Sequence, residues 1–307
     1  MNNTPLKPSG HLLRHSIPKP KRLPERKPKS MTIAIGRLCT TGLIIATDTR
    51  MTWDDGSTYD ATKIKSQMTN SGVYVIAHSS EDVNAAETLV SKINLNLGRI
   101  DPKSLIGVED TLRDAMTDWY SPFQQSPSGC PTVRLLVGVF LPSNPSSANA
   151  DGLGLYFCEP PNTVARKMVS DSSMGYVALG AGLKVTDPLF HTLFETPASV
   201  AVCLGQISYL MYRAKKDCAA YCGGDTDAVF LKSEYVEPLW IERIDMAVAE
   251  SFGSRIDKAL ARTTSAIIPE SENADHKTIL TLAGDIVGLG LAYRRMQFRS
   301  RTGAVIG

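Results

Sequence analysis

Met31-Thr32-Ile33-Ala34-Ile35-Gly36, a break at Cys39-Thr40-Thr41, then Gly42-Leu43-Ile44-Ile45-Ala46-Thr47-Asp48-Thr49-Arg50: the fold is decided here. Both runs are apolar and rich in β-branched residues. They predict two strands, 32–38 and 42–49, joined as a hairpin. Thr32 opens the first. A threonine placed first on a mature chain carries a hydroxyl nucleophile together with a free α-amine that can take its proton. Inside an uncut chain the same residue is an ordinary strand former. The functional reading therefore depends on whether residues 1–31 are removed.

That upstream segment differs from the rest. Residues 1–30 hold eight Lys or Arg, one acid (Glu25) and six prolines. Such a composition buries too little apolar surface to offset the entropy of ordering, so a disordered leader is expected over 1–31. It lacks the apolar core of a secretory signal and is too rich in proline for an amphipathic transit helix. Three readings stand: a propeptide, an extension in front of a true start at Met31, or a basic arm for nucleic acid. Met31 directly before Thr32 favours the second, because loss of an initiator Met ahead of a small residue bares the threonine.

Charge divides along the same line. The net charge is +2, of which residues 1–30 contribute +7, leaving about −5 on the remainder. The folded part thus carries no strong nucleic-acid footprint. Six cysteines without a C-x-x-C pair read as reduced thiols of a cytoplasmic protein, not as a disulfide framework or zinc site. The five histidines show no ligand spacing, so no metal and no cofactor is expected. The most apolar stretch, Ile279 to Ala292, is too short to span a bilayer and contains Asp285.

Further on, Asp54-Asp55-Gly56-Ser57 reads as a turn, Lys63-Ile64 as a short strand and Val73 to Ala77 as a buried one. Ser79 with Asp82 reads as the start of a helix whose face is Val83, Ala86, Val90, Ile93 and Leu97. A second helix starts at Ser104. Strands follow over 132–141, 152–159, 163–169 and 176–179, with a small-residue loop from Pro142 to Asp151. Thr196-Pro197 opens a third helix with Val200, Leu204, Ile207, Met211 and Ala214 inward. Two more strands (226–232 and 236–241) precede a helix with the face Ala249, Phe252, Ile256 and Leu260. Hairpin-linked strands imply antiparallel sheets. Two such sheets between helices give an α+β, four-layer α/β/β/α sandwich. This core covers 32–265, and 266–307, with a helix over about 277–298, extends it.

The run from Thr32 through Asp48-Thr49-Arg50 to Thr62-Lys63-Ile64 resembles the opening of proteasome β subunits. It also resembles their bacterial relatives, the heat-shock-locus peptidase and the ancestral-beta-subunit family. Ala178-Leu179-Gly180-Ala181-Gly182 and the stretch from Asp217 through Tyr221-Cys222 to Gly223-Gly224 are similar to later segments of that family. The resemblance covers residues 31–245. It implies Thr32 as nucleophile, Lys63 as a cation that helps the hydroxyl or amine give up its proton, and Asp48 as the partner of Lys63. Asp217 would support the site, and Cys222 would stand where the family has serine. His78-Ser79 replaces two glycines whose backbone N–H groups receive the oxyanion. Those donors survive any side chain, with Ser79 expected at a helix start; for the His78 ring two readings stand, one in which it crowds the site or changes cleavage preference and one in which it packs at a strand end against loops.

The implied activity is a threonine endopeptidase acting on polypeptides within a homo-oligomeric ring or open ring; an ATPase or unfoldase partner stays open. Two other classes remain: a non-catalytic structural subunit, and an N-terminal-nucleophile amidase acting on a small amide.

Overall fold

The computed structural model describes residues 28–29, 32–53, 55–126, 129–142, 152–168, 175–193, 198–232, 237–267 and 297–306. Of the segment ahead of Thr32, only β1 (Pro28–Lys29) is described, and it pairs with Trp53 and Thr52 instead of standing free of the fold. The hairpin forms as its sequence predicts: β2 (Ile33–Cys39) turns at Thr40-Thr41 into β3 (Gly42–Asp48). Then come β4 (Arg50–Trp53), β5 (Thr58–Asp60), β6 (Ile64–Met68) and β7 (Val73–Ser80). Two helices, α1 (Val83–Ile100) and α2 (Leu105–Tyr120), precede β8 (Val133–Phe140), β9 (Leu153–Glu159), β10 (Thr163–Lys167) and β11 (Tyr176–Gly180). After α3 (Leu183–Leu193) and α4 (Val200–Asp217) come β12 (Thr226–Lys232), β13 (Leu239–Trp240), α5 (Arg243–Ser251) and α6 (Gly253–Ile267). A short hairpin, β14 (Phe298–Arg299) and β15 (Val305–Ile306), is the last described element.

Ten of the described strands make two five-stranded antiparallel sheets, ordered β11-β2-β3-β12-β13 and β10-β9-β8-β7-β6, beside a small β1-β4-β5 sheet and the β14-β15 hairpin. Alternation along each strand divides its side chains between two cores. Ala34, Leu43 and Ile45 meet Val73, Val75, Ala77 and Leu136 of the other sheet. Ile33, Ile35, Ile44 and Ala46 point the other way, onto Leu204, Ile207 and Met211 of α4. Tyr74, Ile76, Leu135 and Val137 pack on Val90, Ile93 and Leu112 of α1 and α2. The molecule is thus a mixed α/β structure, and strands apolar throughout are explained by burial on both faces.

Several elements depart from the sequence reading. Strand β7 runs on to Ser80, and Asp82 caps α1 by accepting from the Ala85 N–H, so Ser79 lies in a strand and not at a helix start. Ser80 favours this, because its hydroxyl bonds the Thr132 and Asp82 carbonyls across the end of the sheet. Helix α3 is absent from the sequence reading. It contains Pro188, a residue that ordinarily ends a helix, and Tyr176 stacked on its Phe190 (centroids 3.8 Å apart) anchors it. Helix α4 begins at Val200 after Ser199, and its five expected inward residues are all buried; Thr196-Pro197 lies outside the described residues. The single helix expected around Ala249 to Leu260 is broken at Phe252, where Gly253 passes against the Tyr212 ring. Residues 277–296 of the last expected helix lie outside the described residues, and Phe298, placed at its end, is in β14.

Candidate active site

The register of the first hairpin builds the site. Ala34 pairs with Thr47, so one step further Ile33 and Thr32 come beside Asp48, at the end of β3. The Ile33 N–H donates to Asp48 Oδ1 at 3.1 Å. The Thr32 hydroxyl donates to the same carboxylate oxygen. Lys63, immediately before β6, reaches in from the second sheet. Its ammonium donates to Thr32 Oγ1 at 2.7 Å, to Asp48 Oδ1 at 2.8 Å and to the Arg50 carbonyl at 2.5 Å, which uses all three of its protons. Asp48 Oδ2 accepts from the Gly223 N–H at 2.9 Å. Thr32, Asp48 and Lys63 are all fully buried.

A buried ion pair of this kind adds little stability by itself, because stripping water from both ions offsets their attraction. Burial moves the Lys63 amine below the ordinary lysine value, and the Asp48 charge counters part of that shift. The arrangement sets a cation against a hydroxyl that already donates to a carboxylate, which favours loss of the hydroxyl proton.

Of the other expected residues, Cys222 lies close enough to feel the Asp48 and Lys63 charges. Burial, then the Asp48 carboxylate, pushes its thiol up to about 12, so it is neutral near pH 7 and unsuited to attack. Asp217 is not joined to the centre: at the end of α4 its carboxylate takes two bonds from Arg213, at 3.0 and 2.8 Å. The reason is helical spacing, since a residue four positions back presents its guanidinium on the same face.

His78 is fully buried, but its ring does not crowd the site. In β7 the side chains of Tyr74, Ile76 and His78 share the face toward α1, and His78 Nε2 lies 3.7 Å from Glu87 Oε1. Ser79 faces the other way. A methyl group at Gly180, whose φ of +88° glycine alone adopts without strain, would stand 1.9 Å from the Thr32 carbonyl oxygen and 3.1 Å from Ser79 Oγ. Strand β6 begins opposite Ala77, so among the described residues His78 and Ser79 have a strand neighbour on the β8 side only. A pocket of about 310 Å³ opens here, lined by Ser79, Ser80, Glu81, Thr132, Arg134, Ala181 and Tyr221.

No protein-family model and no curated protein matches this chain. Solved structures do. Anbu (ancestral beta-subunit) from Yersinia bercovieri is 13% identical, with a TM-score of 0.63 over 78% of this chain and 100% of its own. The chain has the Anbu fold. An Anbu (Gly-1) mutant from Hyphomicrobium sp. strain MC1 is 15% identical, with a TM-score of 0.62 over 77% of this chain and 99% of its own. In a helical assembly of the Anbu complex from Pseudomonas aeruginosa the figures are 13%, 0.59, 80% and 100%. This agrees with the proteasome-like resemblance drawn from the opening motif. At these identities the likeness is one of backbone, so the chemistry rests on this chain's own side chains within the Anbu fold.

Sequence reasoning assigned no part to the Arg50 carbonyl, the Gly223 amide or Gly180. Each stood inside a motif that had been singled out: Arg50 after Asp48, Gly223 after Cys222, Gly180 before Ala181. Main-chain donors and acceptors carry no signature of residue type, so only the fold reveals them. Among the described residues no cluster of His, Cys, Asp or Glu could hold a metal ion, and no helix is long and apolar enough to cross a membrane.

Proposed function

We propose that this chain is a threonine-type peptidase of the N-terminal-nucleophile class, acting once the bond before Thr32 is cut. One observation carries the reading: a buried ammonium, Lys63, bonded at once to Thr32 Oγ1 and Asp48 Oδ1. In the reaction Thr32 Oγ attacks the scissile carbonyl carbon, and its proton passes to the freed α-amine of the same residue. Lys63 stabilises the oxygen as it loses that proton, and Asp48 holds Lys63 in place. The oxyanion is received at the end of β7, about His78 and Ser79, by the backbone N–H that points to the edge with no strand partner among the described residues. Collapse of the intermediate expels the amine with a proton and leaves an ester on Thr32. Water, giving its proton to the α-amine, releases the acid.

In this reading the three apolar cores are those of a four-layer α/β/β/α sandwich, with a core over 32–265, a leader over 1–31 and an extension over 266–307. Six free thiols favour the reducing cytoplasm. The helical assembly seen for the Pseudomonas aeruginosa Anbu complex supports self-association here too. The non-catalytic structural subunit has one observation in its favour, the engagement of Asp217 by Arg213.

Intact mass and a fluorogenic peptide panel, run on wild type and Thr32→Ala, test the proposal. The expected result is a chain beginning at Thr32 that cleaves peptides, and an assembled, inactive variant. Peptide cleavage by a chain that retains its leader would remove Thr32 from the mechanism. Turnover of small amides but not peptides would shift the reading to an amidase.

A further inference from the structure

We propose that Arg50 is a positioning residue for the Thr32 site, acting through the turn at 218–224; this rests on the hydrolytic reading of Thr32, Asp48 and Lys63. Asp217, which begins that turn, is held by Arg213 and so does not itself tie the turn to the site. The turn's own bonds, from the Tyr221 and Cys222 N–H groups to the Cys218 carbonyl, close only its first half. Arg50 holds the rest. Its Nη1 donates to the Ala219 carbonyl at 2.9 Å and to the Cys222 carbonyl at 3.5 Å, and its backbone N–H donates to the Gly223 carbonyl at 3.1 Å. The N–H of the same residue, Gly223, is the donor to Asp48 Oδ2.

Fit requires both partners. A methyl group at Gly223 would stand 2.2 Å from Arg50 Cζ and 2.5 Å from Nη1, so the guanidinium passes only because residue 223 has no side chain. On its other side Arg50 offers its carbonyl to Lys63 Nζ at 2.5 Å. One residue therefore ties together the groups that orient both charged members of the site. It touches neither Thr32 nor any reacting atom. Its effect falls on the geometry of Asp48, and so on the rate of the chemical step more than on substrate binding. Arginine suits the task because the two protons of Nη1 lie in the plane of a rigid guanidinium, which fixes the directions of both bonds, whereas the protons of a lysine ammonium rotate on a flexible stem.

The test compares full-length wild type, Arg50→Ala, Arg50→Lys and Gly223→Ala. Hydrogen exchange without substrate is expected to quicken about tenfold in the peptide covering 218–224 of Arg50→Ala, with α1 and α4 unchanged and Arg50→Lys between. On the peptide panel kcat should fall about tenfold or more while KM stays within twofold, with partial recovery in Arg50→Lys. Gly223→Ala, which keeps Arg50 but drives a methyl into it, should reproduce both effects even if Arg50→Ala folds poorly. Unchanged exchange in this turn, or a loss confined to KM, overturns the inference. If wild type cleaves no amide yet Arg50→Ala still frees the turn, the hydrolytic reading falls and the clamp stands.

Discussion

Lys63 is fully buried, and its charge is held by three protein oxygens. Its amine titrates below the ordinary lysine value of about 10.4. Activity that depends on the ammonium therefore declines on an alkaline limb with its midpoint below that value. A limb at or above the free-lysine value contradicts the role. The linkage has a definite sign: the unfolded chain holds this proton more tightly, so the group's contribution to stability grows as pH climbs from the folded value to about 10.4. Lys63→Ala should lower kcat by about a hundredfold or more. It should also destabilise by roughly 3–5 kcal/mol, by leaving the Asp48 charge buried and unpaired; denaturant titration measures the second effect. Cys222 tests the neighbouring alternative. With its thiol at about 12, Cys222→Ser should keep kcat within a few-fold, and iodoacetamide should spare the wild-type residue at pH 7. Inactivation as complete as that of Thr32→Ala would make Cys222 the nucleophile.

Strand β7 shows what an element adds to its residues. His78 and Ser79 are adjacent in sequence, yet one faces Glu87 on α1 and the other faces Gly180 beside Thr32. A period of two makes this unavoidable once the strand continues past Ala77. His78→Ala should accordingly lower Tm by removing a buried side chain, while KM across a peptide panel stays within twofold. A changed cleavage preference without a change in Tm would place the ring in the site after all. The β-hairpin, α1 and α2 were legible because their apolar periods agree with their burial. Helix α3 was not, since Pro188 argues against a helix locally and Phe190 on Tyr176 is a contact that no local window contains. The break at Phe252 was hidden for the same reason: the Tyr212 ring that presses on Gly253 comes from α4.

At the scale of the molecule, the last described hairpin returns to the body of the fold. Phe298 and Ile306 join the core beneath α4 and α5. Arg301 bonds the fully buried Asp227 at 2.9 Å, a carboxylate also gripped by Arg243, and Arg299 bonds Asp245 on α5 at 2.9 Å. Deleting residues 297–307 should therefore cost on the order of 3 kcal/mol or more in apolar burial alone, read as a lower Tm. Stability unaffected by that deletion would show the hairpin to be dispensable. Arg299 holds the Asp245 carboxyl below the ordinary range against the opposing effect of burial. This contribution is complete above the free carboxyl value of about 3.9 and disappears as pH falls through the lower folded one. Asp245→Asn should remove that acid-dependent part of unfolding and leave the rest of the profile in place.

The amino-acid sequence by itself determined the hairpin that begins at Thr32, the faces of the long helices, and the candidacy of Thr32, Asp48 and Lys63, because each of these follows from local periodicity or from a short motif. Tertiary structure alone decided that Asp217 turns to Arg213, that the His78 ring points to α1, and that main-chain groups of Arg50 and Gly223 complete the site. Those outcomes depend on which strand edges and helix faces come together. Backbone donors and acceptors are identical at nearly every residue, so only their placement in space distinguishes the few that serve the site.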